Sequence, residues 1–128
     1  MKKKRIATTS LAGCFGCHMS LLDIDERIIE LMTLVDFDRS PLNDKKKFDQ
    51  RCDIGLIEGG CGNEENVHVL REFRENCDIL VAVGQCATMG GLPVMRNAIM
   101  HAENPLRACL EEAYSGPKLI NIDNQVPN

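Results

Sequence analysis

Asp53-Ile54-Gly55-Leu56-Ile57-Glu58-Gly59-Gly60-Cys61-Gly62-Asn63 passes from a short apolar stretch, through a glycine-rich turn, onto a residue well suited to cap a helix. The first six of these residues predict a strand. Beyond Asn63, the apolar positions Val67, Leu70, Phe73 and Cys77 recur every three to four residues, the spacing of one helix face. Ile79-Leu80-Val81-Ala82-Val83 then predicts a second strand, apolar throughout, as in a parallel sheet covered on both faces. Strand, glycine turn, helix and strand make one right-handed crossover unit.

The same order repeats outward. Toward the N-terminus, Lys4 to Thr9 reads as a strand, followed by the turn Ala12-Gly13-Cys14-Phe15-Gly16-Cys17. Ser20 is the expected cap of the next helix, with Asp23 in the acidic capping position. Leu21, Ile24, Ile28, Leu31 and Val35 form its stripe, and Asp23, Asp25 and Glu26 lie in its first turns, where the helix dipole favours negative charge. Thr33 to Phe37 is the expected strand after it, and 38–51 a polar loop. Toward the C-terminus the turn Gly84-Gln85-Cys86-Ala87-Thr88-Met89-Gly90-Gly91 follows the strand at 79–83. A helix is expected from Pro93 to about His101, and another from Pro105 through Leu106, Cys109, Leu110 and Ala113. Lys118 to Asp123 is the expected fifth strand. This alternation predicts an α/β fold, an open parallel sheet with helices on both faces, flavodoxin-like, in a single domain over residues 1–128.

With 44% apolar and 27% charged residues, the chain has the balance of a globular protein able to build a core. No apolar run approaches the roughly 18 residues a membrane span needs. The basic start Lys2-Lys3-Lys4-Arg5 leads into a stretch too short and polar for a secretory signal, so a cytoplasmic protein is expected. A net charge of -4, one Tyr and no Trp argue against a nucleic-acid surface. The basic runs at 2–5 and 45–47 read as solvated ends and loops.

Seven cysteines in a reducing compartment point to metal or redox chemistry rather than disulfides. The fold divides them. Ligands of an open parallel sheet bind outside the carboxyl ends of its strands. Cys14 and Cys17 follow the first strand, Cys61 the third and Cys86 the fourth, so all four belong to that edge. Cys52 and Cys77 precede strands and belong to the opposite edge, and Cys109 falls on the apolar stripe of a helix. These three are expected to be small core residues. Cys-x-x-Cys with further thiolates on one edge suits an iron–sulfur cluster, whose sulfides accept hydrogen bonds from glycine-rich backbone. A thioredoxin-type dithiol would leave Cys86 unexplained. A zinc site of four thiolates, or one using His18, stays open, as does FMN at the same edge. His18 is expected to be a hydrogen-bonded surface residue, with capping the site or carrying protons as the alternative. The glycine turns match neither dinucleotide nor P-loop patterns.

Gly13-Cys14-Phe15-Gly16-Cys17-His18-Met19-Ser20-Leu21-Leu22-Asp23, Glu58-Gly59-Gly60-Cys61-Gly62-Asn63-Glu64-Glu65-Asn66, Arg74-Glu75-Asn76-Cys77-Asp78-Ile79-Leu80 and Val83-Gly84-Gln85-Cys86-Ala87-Thr88-Met89-Gly90-Gly91-Leu92-Pro93 together carry a family likeness. The chain resembles the small subunit of nickel–iron hydrogenases, most closely that of the bidirectional NAD-reducing type. The electron-transferring subunit of respiratory complex I is the nearest other relative. The resemblance implies a proximal [4Fe-4S] cluster held by Cys14, Cys17 and Cys86. It implies a nickel–iron site in a separate large subunit, and a diaphorase module of iron–sulfur and flavin subunits that reduces NAD. It also implies a fourth ligand in a later Pro-Gly-Cys-Pro segment. The 128 residues contain no such segment, so a partial chain is expected, with Cys61 supporting the site from behind; Cys61 closing the cubane, or an open iron, are the alternatives. An electron-transfer subunit must present its cluster edge to a partner, and that edge carries Phe15, Met19, Met89, Leu92 and Met95. For Leu92 and Met95, packing inside the domain is the competing expectation.

Overall fold

The computed structural model describes residues 1–100, 103–113 and 118–120. Four strands, β1 (Lys4–Ser10), β2 (Val35–Phe37), β3 (Cys52–Glu58) and β4 (Cys77–Val83), form one sheet in the order β2-β1-β3-β4, every pair parallel. The order reverses at β1, which places a topological switch point between β1 and β3, the crevice in which such sheets take ligands. Between the strands run α1 (Gly16–Leu22), α2 (Arg27–Leu34) and α3 (Glu64–Asn76). After β4 come α4 (Gln85–Met89), α5 (Gly91–Val94), a 3-10 turn at Met95–Ile99, and α6 (Pro105–Ala113).

Register and the two-residue strand period assign the faces. Ala7, Gly55 and Leu80 stand in one row and Thr9, Ile57 and Ala82 in the next, on the same face. Against that face α3 packs Leu70 and Phe73, forming with Ala7, Ile57, Cys52, Cys61 and Cys77 a fully buried core. Phe48, from the 38–51 loop, meets Phe73 edge-on at 4.8 Å between ring centroids. The opposite face carries the rows Ile6–Ile54–Ile79, Thr8–Leu56–Val81 and Ser10–Glu58–Val83. Here α1 brings His18 onto Thr8 and Glu58. Ile79 and Val81 stay exposed, so the expected burial of β4 on both faces is not met. The 38–51 loop is anchored by buried Asp38, which accepts hydrogen bonds from the Asp49 and Gln50 amides and from Arg5. Burial alone would raise the Asp38 carboxyl; those bonds and the Lys45 charge outweigh it and hold the carboxyl below its ordinary range.

Several expected boundaries move. Ser20 is not a cap: α1 already begins at Gly16, behind Phe15 in the left-handed region (φ 66°), and the Ser20 hydroxyl donates to Cys17 O at 2.7 Å. The single expected helix divides at 23–26, where Asp25 also takes a left-handed conformation (φ 61°), which Asp tolerates better than most residues. Thr33 ends in α2 rather than β2, donating back to Glu30 O at 2.7 Å, so β2 starts at Val35. β3 and β4 start earlier than expected, and Cys52 and Cys77 pair across them as register partners. The helix expected from Pro93 becomes the short α5 and a 3-10 turn, and its expected end, His101, lies outside the described residues. Of the expected fifth strand, 118–120 make one antiparallel bridge, Asn63 to Leu119, and 121–123 lie outside the described residues. Asn63 caps α3 as expected, its side chain accepting from Asn66 N at 2.8 Å.

Candidate functional site

The turns at the carboxyl edge are stitched together before any cofactor is considered. Leu11 N donates to Glu58 O, and Ala12 and Gly60 exchange amide hydrogen bonds at 2.9 and 2.8 Å. The Cys14 turn thus lies flat against the turn after β3. Gly16 N donates to Cys14 Sγ at 3.4 Å, and Cys17 enters the first turn of α1. Cys86 enters the first turn of α4 directly after Gly84.

Each of these three thiols is faced by glycine. A Cβ built on Gly16 would stand 3.1 Å from Cys14 Sγ, and one on Gly91 2.9 Å from Cys86 Sγ. One on Gly84 would overlap Cys17 Sγ outright. Gly13 approaches Cys86 Sγ from the other side, at 3.9 Å for its absent Cβ. Glycine therefore keeps open the space around all three sulfurs, as a bulky inorganic group bound to them requires. Electrostatics agree. Burial pushes the Cys17 thiol up, and the Glu58 carboxylate, Cys14 and Cys86 push it further. If all three sulfurs were ionised together they would need a cationic partner, which the iron of a cluster would supply. The donor set and the space fit an iron–sulfur cluster. Among the described residues no three or more His, Cys, Asp or Glu side chains converge on one point as the ligands of a single metal ion would.

The other cysteines are placed elsewhere. Cys61 packs in the core with Leu70 and Phe73, and burial raises its thiol. Cys52 and Cys77 are buried as expected, and burial pushes the Cys52 thiol up to about 12. Cys109 is exposed, contrary to its expected place in the core: α6 buries none of its residues, and among the described residues no element covers the Cys109 side of its stripe. Of the edge residues, Met19, Met89, Leu92 and Met95 are exposed and Phe15 is half-buried. For Leu92 and Met95, at 77% and 68% exposure, packing inside the domain is ruled out.

Sequence reasoning missed Glu58 and misplaced His18. His18 is 5% exposed rather than at the surface. Its Nε2 lies 3.0 Å from Thr8 Oγ1, which is 2.6 Å from Ser40 Oγ, and Phe15 stacks on its ring at 4.7 Å. His18 Nδ1 lies 2.9 Å from Glu58 Oε1, and the His18 amide donates to Glu58 Oε2 at 3.3 Å. Burial alone would raise the Glu58 carboxyl, but hydrogen bonds from Ser10 and His18 prevail and hold it down. The available signal was a carboxylate following the apolar run Ile54–Ile57: a buried charge needs partners, and the histidine beside Cys17 supplies one.

A cavity of about 600 Å³ opens at the same edge, with Cys14 and Cys86 in its wall. Arg96 is the charged member of its lining among the described residues, and its guanidinium already donates to the Gly62 and Ile120 carbonyls. A flavin phosphate would have to displace one of those carbonyls to reach the committed Arg96 nitrogen, and the FMN expectation gains no support. Among the described residues no helix is long and apolar enough to cross a membrane.

Residues 14–128 match the family described as the NADH ubiquinone oxidoreductase 20 kDa subunit. The chain is 50% identical over 112 residues to the delta subunit of the NAD-reducing hydrogenase HoxS of Cupriavidus necator, an alignment covering 88% of this chain and 51% of that one. It is 39% identical over 115 residues to a subunit of the F420-non-reducing hydrogenase of Methanothermobacter thermautotrophicus, covering 88% of this chain and 36% of the relative. A chain in the crystal structure of NAD+-reducing [NiFe]-hydrogenase in the H2-reduced state superposes with a TM-score of 0.77 at 51% identity, over 99% of this chain and 68% of that one. The chain thus spans about half the length, or less, of these curated relatives.

Proposed function

The chain belongs to the NADH ubiquinone oxidoreductase 20 kDa subunit family, and on that premise we propose that it is the electron-transfer small subunit of a cytosolic NAD-reducing nickel–iron hydrogenase. In this reading Cys14, Cys17 and Cys86 hold a proximal [4Fe-4S] cluster. The observation that carries it is the set of three thiols on one sheet edge, each faced by glycine. When bound, such a cluster supplies one-electron exchange. The chain's own residues do the rest. The Cys14 and Cys86 turns fix two thiolates across the switch point, Gly16 N donates to Cys14 Sγ, and α1 positions Cys17 over buried Glu58. The fourth ligand is assigned, on the family likeness, to a later Pro-Gly-Cys-Pro segment, with Cys61 behind the site. Anaerobically purified protein is expected to be brown and to contain about four irons with matching acid-labile sulfide. Zinc without sulfide, in a colourless preparation, would end the reading.

The partner proposed for the exposed edge is the nickel–iron large subunit, with electrons passing on to the diaphorase subunits. Met19, Met89, Leu92 and Met95 surround the cysteines with flexible apolar surface, a costly feature unless a partner covers it. A Phe15→Glu, Met89→Glu double variant is expected to bind a tagged large subunit at least about tenfold more weakly, a loss of about 1.4 kcal/mol or more. Unchanged co-purification, with iron content retained, would remove this surface as the docking site.

A further inference from the structure

Arg96 sits in the 3-10 turn after α5 and is only partly buried, yet its Nε is shut off from solvent and has no hydrogen-bond partner. One of its terminal nitrogens donates to Gly62 O and to Ile120 O, the latter at 2.6 Å. The fit is close: a Cβ on Gly62 would come within 3.1 Å of both terminal nitrogens. No carboxylate forms an ion pair with Arg96 among the described residues, although lysines and arginines make eight ion pairs there. A guanidinium keeps its charge at any accessible pH. Here is a permanent cation, held in place by two carbonyls and without a counter-ion among the described residues, in the wall of the cavity that also exposes Cys14 and Cys86. On the other side, Cys17 faces the buried anion Glu58.

We infer that Arg96 is the positioning charge that sets the reduction potential of the centre, by holding a fixed cation against its Cys14–Cys86 side. This rests on the cluster reading above. A thiolate-ligated cluster is anionic and becomes more so on reduction, so a nearby cation favours the reduced form. Across an interior of effective dielectric constant about 20, one fixed nearby charge changes the reduced-to-oxidised ratio by about tenfold.

The test is a potentiometric titration, followed by electron paramagnetic resonance, of the intact complex carrying the parent chain, Arg96→Lys or Arg96→Gln. The relevant signal is the one that Cys86→Ser removes. In Arg96→Gln its midpoint is expected to fall by about 59 mV, the equivalent of tenfold for a one-electron couple. Arg96→Lys, which keeps the charge but not the forked donors, is expected to stay near the parent. Equal shifts in both variants would assign the effect to the lost carbonyl clasp and overturn the inference, as would no shift in either. If the Gln variant assembles no cluster, the Lys variant decides: a cluster at the parent potential supports the charge, and its absence overturns it. A parent complex lacking any signal sensitive to Cys86→Ser would instead defeat the underlying cluster reading.

Discussion

Cys86→Ser is expected to leave a folded chain that retains almost no iron, while Cys109→Ala and Cys77→Ala keep theirs. The three cysteines differ in surroundings rather than in chemistry. Cys86 is half-buried at the carboxyl edge, between Gly13 and Gly91, and it bears on the Cys17 thiol. A serine hydroxyl stays protonated at neutral pH and is a hard donor, so it replaces the thiolate poorly at iron. Cys77 has no exposure and touches Cys52 at the far edge. Its truncation removes packing only, on the order of 1 kcal/mol for a small cavity. Cys109 is exposed on α6, and its replacement should fall within about 0.5 kcal/mol of the parent. Iron analysis and urea midpoints on the three variants separate the cases. Comparable iron loss in all three would mean that the sheet edges do not sort the cysteines as argued.

Gly84→Ala is expected to strip the centre by geometry rather than by removing a ligand. Gly84 has φ 82° and ψ 169°, a region reserved for glycine. Backbone strain there costs about 1–3 kcal/mol for any other residue. The new methyl would also occupy the position of Cys17 Sγ. Either the thiol swings away or the junction between β4 and α4 shifts, and both outcomes pull Cys17 and Cys86 out of their mutual arrangement. Iron retained per folded chain should fall at least about tenfold, with a lowered thermal midpoint. Gly90→Ala is the control. Gly90 also has a positive φ, 88°, but its Cβ would meet the Val94 side chain. It should lower the thermal midpoint while retaining most of the iron. Equal iron in the Gly84 variant and the parent would show that the cradle tolerates a side chain.

Much of this fold was legible because its signals are local. The glycine turn after β3, the Asn63 cap and the Val67–Leu70–Phe73 face of α3 each follow from spacing, and the parallel order follows from the alternation. The three cysteines could be brought together from topology alone, because strands of a parallel sheet deliver their following turns to one edge. What failed depended on tertiary context. Ser20 fits a capping pattern, but the left-handed Phe15 starts α1 a full turn earlier. Cys109 sits on a helical stripe that meets no partner among the described residues, and a stripe does not reveal what lies opposite. His18 and Glu58 are 40 residues apart, and their burial together is a property of the switch point that no window of sequence contains. Arg96 gave no signal at all, since its partners are two backbone carbonyls.

The paired amides of Ala12 and Gly60 have a kinetic meaning as well as an architectural one. They weld the two turns beneath the thiols into one stiff plate, and the glycines let that plate press close without side chains that could rearrange. With a cluster bound there as proposed, an arriving electron would find little that can relax around it. The nuclear displacement that must accompany each charge transfer is correspondingly small, and so is the share of the activation barrier that comes from reorganising the surroundings. On the cluster reading proposed above, a thin, glycine-built floor would be a means of keeping a redox step fast.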